Sequence, residues 1–156
     1  MRSSYDIVVV QMGSIAPGVL ERQIAENKSL RWVHSISAGI DGYVAVKSFK
    51  DSPVPLTNAK GAYSEVLGEF IALGVLYHSK HIERFIKRQS EHKWEIEPME
   101  LVSKKHMAVI GYGDIGAACA KIAKLGFSMK VTGLKRRPDT VSEEHRSYCD
   151  EVVGND

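Results

Sequence analysis

Apolar residues fall into two rhythms along the chain, short β-branched runs and longer stretches at helical spacing. Asp6 to Gln11 carries the β-branched run Ile7-Val8-Val9-Val10, the pattern of a buried parallel strand. Pro17 to Asn27 predicts a helix, with proline in its first turn. Leu30 to Ile36 predicts a second strand, and Ser37-Ala38-Gly39-Ile40-Asp41-Gly42 a glycine-bearing loop at its C-terminal end. Tyr43 to Asp51 predicts a short helix and turn. Val54 to Asn58 predicts a short edge strand, where Pro55 is tolerated. The longest periodic segment runs from Ser64 to Arg88. Val66, Leu67, Phe70, Ile71, Leu73, Leu76, Ile82, Phe85 and Ile86 recur near helical spacing and predict one long helix. Ser64 is its expected cap and Glu65 its first-turn acid, with Lys80, Arg84, Lys87 and Arg88 toward the C-terminal end. Its apolar coverage is wide, which predicts burial between lobes or a homodimer contact. Glu91 to Lys105 is polar and predicts a crossover, with Trp94 as its anchor.

The next segment carries the candidate chemistry. His106 to Ile110 is an apolar run of strand length. It leads into Gly111-Tyr112-Gly113-Asp114-Ile115-Gly116 and then a helix-forming stretch, Ala117 to Lys124. Gly126 is the expected C-cap, and Phe127 to Thr132 predicts the following strand. Strand, Gly-x-Gly-x-x-Gly turn, helix and strand fit within about 30 residues, the size of one βαβ unit. In such a unit the helix N-terminus receives a pyrophosphate. Gly111 permits the tight turn, Gly113 lets a phosphate approach the backbone, and Gly116 lets helix and strand pack closely. The NAD-binding version of this unit places an acid about 20 residues on, at the ribose hydroxyls. Here that region reads Gly133-Leu134-Lys135-Arg136-Arg137-Pro138, with no acid and three cations. Lys135, Arg136 and Arg137 would attract a 2′-phosphate that a carboxylate would repel, so NADP(H) is favoured over NAD(H). The plain alternative is a solvated basic turn.

Composition narrows the partners. A net charge of +2 gives no reason to invoke nucleic acid or membrane. The longest apolar runs fall short of a membrane span. Met1 to Asp6 lacks the apolar region of a signal peptide, and the C-terminal residues carry no retention or peroxisomal signal. Cys119 and Cys149 are too few for a disulfide framework, and a cytoplasmic setting is the natural expectation.

Three segments resemble the D-isomer-specific 2-hydroxyacid dehydrogenase family, in matching order across nearly the whole chain. Leu30 to Asp41 resembles the strand and loop whose amides hold the substrate carboxylate. Leu56 to Glu65 resembles the loop and helix start that join two domains and border the nicotinamide. Gly111 to Gly116 resembles the family's cofactor turn. Among the branches, the basic cluster is most similar to glyoxylate/hydroxypyruvate reductases.

The resemblance implies an α/β fold containing parts of two Rossmann-like doubly wound parallel-sheet domains. Residues 1–94 would form part of a flavodoxin-like substrate domain including the long helix, and 95–156 the first half of an NAD(P)-binding domain. It implies that Ala38 and Gly39 offer amides to a 2-oxo-acid carboxylate and that Ser64 approaches the nicotinamide. Asp114 and Ile115 would offer amides to the pyrophosphate, with the Asp114 side chain turned to solvent. Lys135, Arg136 and Arg137 would face the adenosine ribose.

The family's arginine clamp and histidine–glutamate pair are placed by the resemblance beyond Asp156. Asp6 to Gln11 resembles an internal strand, and Asp150 to Asp156 the segment just past the third Rossmann strand or turn. The sequence therefore reads as an inner fragment, inactive alone, with no catalytic residue assigned and a half-sheet edge open to association. Of the histidines, His34 lies in a strand before the carboxylate loop, and His78 and His81 could share a helix face without a third metal ligand nearby. The competing reading is a non-catalytic dinucleotide-binding regulator or scaffold that kept the cofactor turn.

Overall fold

The computed structural model describes residues 5–11 and 17–154, so the readings of the N-terminal four residues and of Asn155 and Asp156 lie outside it. The chain divides into two compact units, residues 1–62 and 63–156. The long-helix region therefore groups with the second unit, whereas the sequence assigns it to the first.

The first unit is a three-stranded parallel sheet of β1 (Ile7–Val10), β2 (Trp32–Ser35) and β3 (Leu56–Asn58), in that order; β3 is an outer strand of this sheet and starts at Leu56, so Pro55 lies just before it rather than within it. Helix α1 (Pro17–Glu26) links β1 to β2, and the short helices α2 (Asp41–Val44) and α3 (Lys47–Lys50) link β2 to β3. Strand side chains alternate between faces. Val10 and Val33 thus enter a core with Leu20, Leu30, Tyr43 and Phe49. Ile7, Val9 and Trp32 point to the other face, which stays largely open.

In the second unit the expected single helix is two. Helix α4 (Ser64–Ser79) and helix α5 (Ile82–Ser90) are separated by Lys80 and His81, and His81 takes a left-handed conformation at φ 52°. A side chain in that conformation cannot continue an α-helix, so the periodic pattern spans a break it does not reveal. Tyr63, not Ser64, holds the N-cap position of α4, without a side-chain capping bond. The break also leaves His78 and His81 on no common helical face.

Trp94 does not anchor the following crossover, since it is 95% exposed. Charges hold that segment instead. Arg88 Nε and Nη1 lie 3.0 and 2.8 Å from Glu95 and Glu97, Arg84 also pairs with Glu97, and Lys80 Nζ donates to the Glu100 carbonyl at 2.7 Å. Burial pushes the Glu97 carboxyl up, but Arg84 and Arg88 outweigh it and hold it below the usual range.

The remainder is a second parallel sheet, β4 (His106–Ile110), β5 (Lys130–Leu134) and β6 (Glu151–Val153), in that order. Helix α6 (Asp114–Lys121) connects β4 to β5, and α7 (Glu143–Ser147) connects β5 to β6. Helix α6 begins at Asp114, three residues earlier than its composition suggests. It ends in a wide turn, Ile122–Gly126, where the Phe127 amide reaches back to the Ile122 carbonyl. Gly126 lies inside that turn, and Ser128 takes the left-handed conformation instead. This uses up Phe127 to Met129 and delays the strand to Lys130. The segment ending in Val153 is itself the third strand, not a stretch beyond it. Tyr112, Ala117, Ala120, Ala123, Met129, Val131, Val141 and Cys149 form the core, and Cys119 is buried as well.

Candidate functional site

The glycine turn leaves β4 at its C-terminal end, and each glycine meets a different constraint. Gly111 has φ +97°, a conformation that L side chains rarely adopt. At Gly116 a Cβ would lie 2.6 Å from the Gly111 carbonyl oxygen and 3.0 Å from Val109 Cγ1, so only glycine fits between helix and strand. At Gly113 a Cβ would meet nothing within 4 Å. Gly113 therefore faces open space at the start of α6, where an anion can reach the backbone. The Ala117 amide makes the helix's first backbone bond, 2.8 Å to the Gly113 carbonyl, so Ile115 and Gly116 present amides ahead of the helical ladder. Those amides and the helix dipole favour negative charge. Ile115 is exposed, whereas Asp114 is half-buried rather than turned fully to solvent.

The turn is fastened to the end of the neighbouring strand. The amides of Gly111 and Tyr112 both donate to the Leu134 carbonyl, at 3.0 and 2.9 Å. The next residue, Lys135, donates its own amide to the Val153 carbonyl at 3.0 Å. The glycine turn and the basic loop thus meet at the carboxyl end of one sheet, where α/β folds bind ligands. Lys135 is half-buried, Arg136 and Arg137 are exposed, and no side-chain ion pair is made by any of the three among the described residues. The residues present suit a dinucleotide: an open anion cradle at Gly113 and uncompensated cations on the adjacent loop.

Ser64 starts α4. Gly68, one turn later on the same face, packs against α6, where a Cβ would lie 3.3 Å from both the Ala118 carbonyl carbon and Ile122 Cδ1.

In the first unit, the loop after β2 begins with a local turn. The buried Ser35 Oγ accepts from the Ser37 amide at 3.2 Å and donates to the Ser37 carbonyl at 3.3 Å. Asn58 Nδ2 donates to the Ala38 carbonyl at 2.6 Å. Ala38 and Gly39 are exposed, and their amides donate no hydrogen bond among the described residues. His34 pairs through Nδ1 with Thr57 Oγ1 at 2.8 Å, and Trp32 Nε1 donates to the same oxygen.

Two side chains of structural weight escaped sequence reasoning. Asp150, just before β6, accepts the Val131 amide at 2.7 Å and Lys124 Nζ at 3.1 Å. Tyr112, between two glycines, is buried and donates its hydroxyl to the His145 carbonyl at 2.8 Å. Their partners lie 19 and 33 residues away, and no local spacing signals such contacts.

A parallel sheet whose first strand feeds a glycine turn and a helix defines a Rossmann-like fold. Comparison with known proteins agrees and is more specific. Residues 72–154 match the NAD-binding domain of the D-isomer-specific 2-hydroxyacid dehydrogenases. The chain belongs to that family. A hydroxypyruvate reductase of Thermotoga maritima is 31% identical over 130 residues, 81% of this chain and 40% of that protein. The crystal structure of an NADPH-dependent glyoxylate/hydroxypyruvate reductase of Sinorhizobium meliloti, in complex with NADP and sulfate, superposes with a TM-score of 0.74 at 19% identity, over 99% of this chain and 45% of that one. A D-lactate dehydrogenase of Aquifex aeolicus, complexed with NAD and lactic acid, superposes with a TM-score of 0.69 at 19% identity, over 96% and 43%. The chain thus spans less than half the length of these relatives.

Proposed function

We propose that this chain supplies the nucleotide half-site and the carboxylate loop of an NAD(P)-dependent oxidoreductase. The nicotinamide exchanges a hydride with C2 of a small 2-oxo or 2-hydroxy acid of the glyoxylate or hydroxypyruvate kind. The observation that carries this reading is the Gly113 opening at the start of α6, tied through Leu134 to the basic loop. On this reading the Asp114 and Ile115 amides hold the pyrophosphate between Gly111, Gly113 and Gly116. Ser64 borders the nicotinamide, and the Ala38 and Gly39 amides hold the substrate carboxylate. Lys135, Arg136 and Arg137 surround the adenosine ribose, and their charge favours the 2′-phosphate of NADP(H) over NAD(H). Reductases named for glyoxylate and hydroxypyruvate among the relatives support the substrate class. No residue is assigned the proton transfer, so residues 1–156 alone bind nucleotide without turnover. The protein works in the cytoplasm as a homodimer joined through α4.

A thermal melt of the chain alone, with NADPH and with NADH, tests the nucleotide reading, because a ligand of the folded state raises the midpoint. NADPH is expected to raise it more than NADH. A larger rise with NADH would overturn the cofactor preference, and no rise with either would overturn the nucleotide site.

A further inference from the structure

Tyr112 occupies a turn position where a solvated side chain would serve, yet it is only 1% exposed. Three contacts hold it. Its amide donates to the Leu134 carbonyl at 2.9 Å. Its ring lies over Gly133, where a Cβ would stand 2.4 Å from Cδ2 and 2.5 Å from Cγ. Its hydroxyl donates to the His145 carbonyl on α7 at 2.8 Å. The next residue, Arg146, donates through Nη2 to the Pro138 carbonyl, directly after Arg137. A closed path therefore runs from the glycine turn through the tyrosine to α7 and back to the basic loop. Gly133 is part of the device, since any larger residue would displace the ring.

We propose that Tyr112 is a positioning residue that fixes the Lys135-Arg136-Arg137 loop against the glycine turn, and so sets the selectivity of the nucleotide site at its adenosine end. The inference rests on the nucleotide reading given above. The tyrosine touches neither phosphate nor ribose in this scheme. It acts by holding the cations at the distance from the turn that a 2′-phosphate needs. Burial raises the phenol well above its usual range, so the hydroxyl stays a donor at all working pH values.

Tyr112→Phe removes only the hydroxyl. The His145 carbonyl still accepts the Tyr148 amide at 3.1 Å, and the ring still covers Gly133, so the variant folds. Dissociation constants for NADPH and NADH are measured on the 156-residue chain by nicotinamide fluorescence. The variant is expected to lose about three- to tenfold in NADPH affinity, the scale of one net hydrogen bond, while NADH affinity stays within about twofold. In the triple background K135A/R136A/R137A, Tyr112→Phe should change the NADPH-to-NADH ratio no further. A merely structural tyrosine would weaken both nucleotides equally in either background.

An unchanged ratio in Tyr112→Phe, with nucleotide still bound, overturns the inference and leaves the functional reading intact. A wild-type chain that binds neither nucleotide overturns both. A wild-type chain that prefers NADH overturns the cofactor preference alone, provided the ratio still shifts in the variant.

Discussion

Gly113 and Gly116 stand three residues apart and meet a methyl group in opposite ways. At Gly116 it would press on the Gly111 carbonyl at 2.6 Å, a backbone atom that cannot move aside. Gly116→Ala should therefore destabilise the protein by about 1–3 kcal/mol, the usual cost of overpacking. At Gly113 nothing stands within 4 Å, and the backbone lies at φ −107°, open to any residue. Gly113→Ala should stay within about 1 kcal/mol of wild type, the scale of a changed helix cap. Chemical denaturation of the two variants checks the contrast, and equal losses would contradict it. The glycines were legible in the sequence because few physical reasons place glycine at that spacing between an apolar run and a helix. Tyr112 was not legible, because nothing local distinguishes a plugged aromatic from a solvated one. Which cations would face a nucleotide was legible only as an unbroken run of charge.

Among the elements, β5 and β6 are joined at their start by Asp150. Its carboxylate accepts the Val131 amide and Lys124 Nζ, and these two donors hold its carboxyl below the usual aspartate range. The folded-state value is thus lower than the unfolded one. The stabilisation is present in full above about pH 4 and is lost as pH falls through the folded value. The melting midpoint of wild type should fall more steeply than that of Asp150→Asn as the pH drops from about 5 toward 2. Parallel curves for the two proteins would contradict this. Strands were legible as apolar runs, and the order of elements followed. Element ends were not. The break at His81 needs a left-handed residue that the hydrophobic period does not encode, and the wide turn at Ile122–Gly126 moved β5 three residues along. Trp94 misled because residue type alone suggested burial, while salt bridges from α5 do the holding.

For the molecule as a whole, the two parallel sheets and their family were legible, but the grouping of α4 was not. Its apolar residues suit either unit by composition, and its packing through Gly68 on α6 decides the matter. On the outer side of α4, Val66, Phe70 and Leu73 are exposed at spacings of four and three, one continuous stripe. The proposed homodimer uses that stripe. Phe70→Glu should shift the protein to monomer in sedimentation velocity, and an unchanged distribution of species would remove α4 from the interface.

The proposed nucleotide site stands or falls with the opening at Gly113. Binding of NADPH to the wild-type chain and to Gly113→Ala, followed by nicotinamide fluorescence, tests it most directly. The methyl group would occupy the open space where the proposed phosphate lies, without strain in the fold. Wild type is expected to bind tightly and the variant to lose about tenfold or more, about 1.4 kcal/mol, at nearly unchanged stability. Equal affinity in the two proteins, or no binding by wild type, would contradict it.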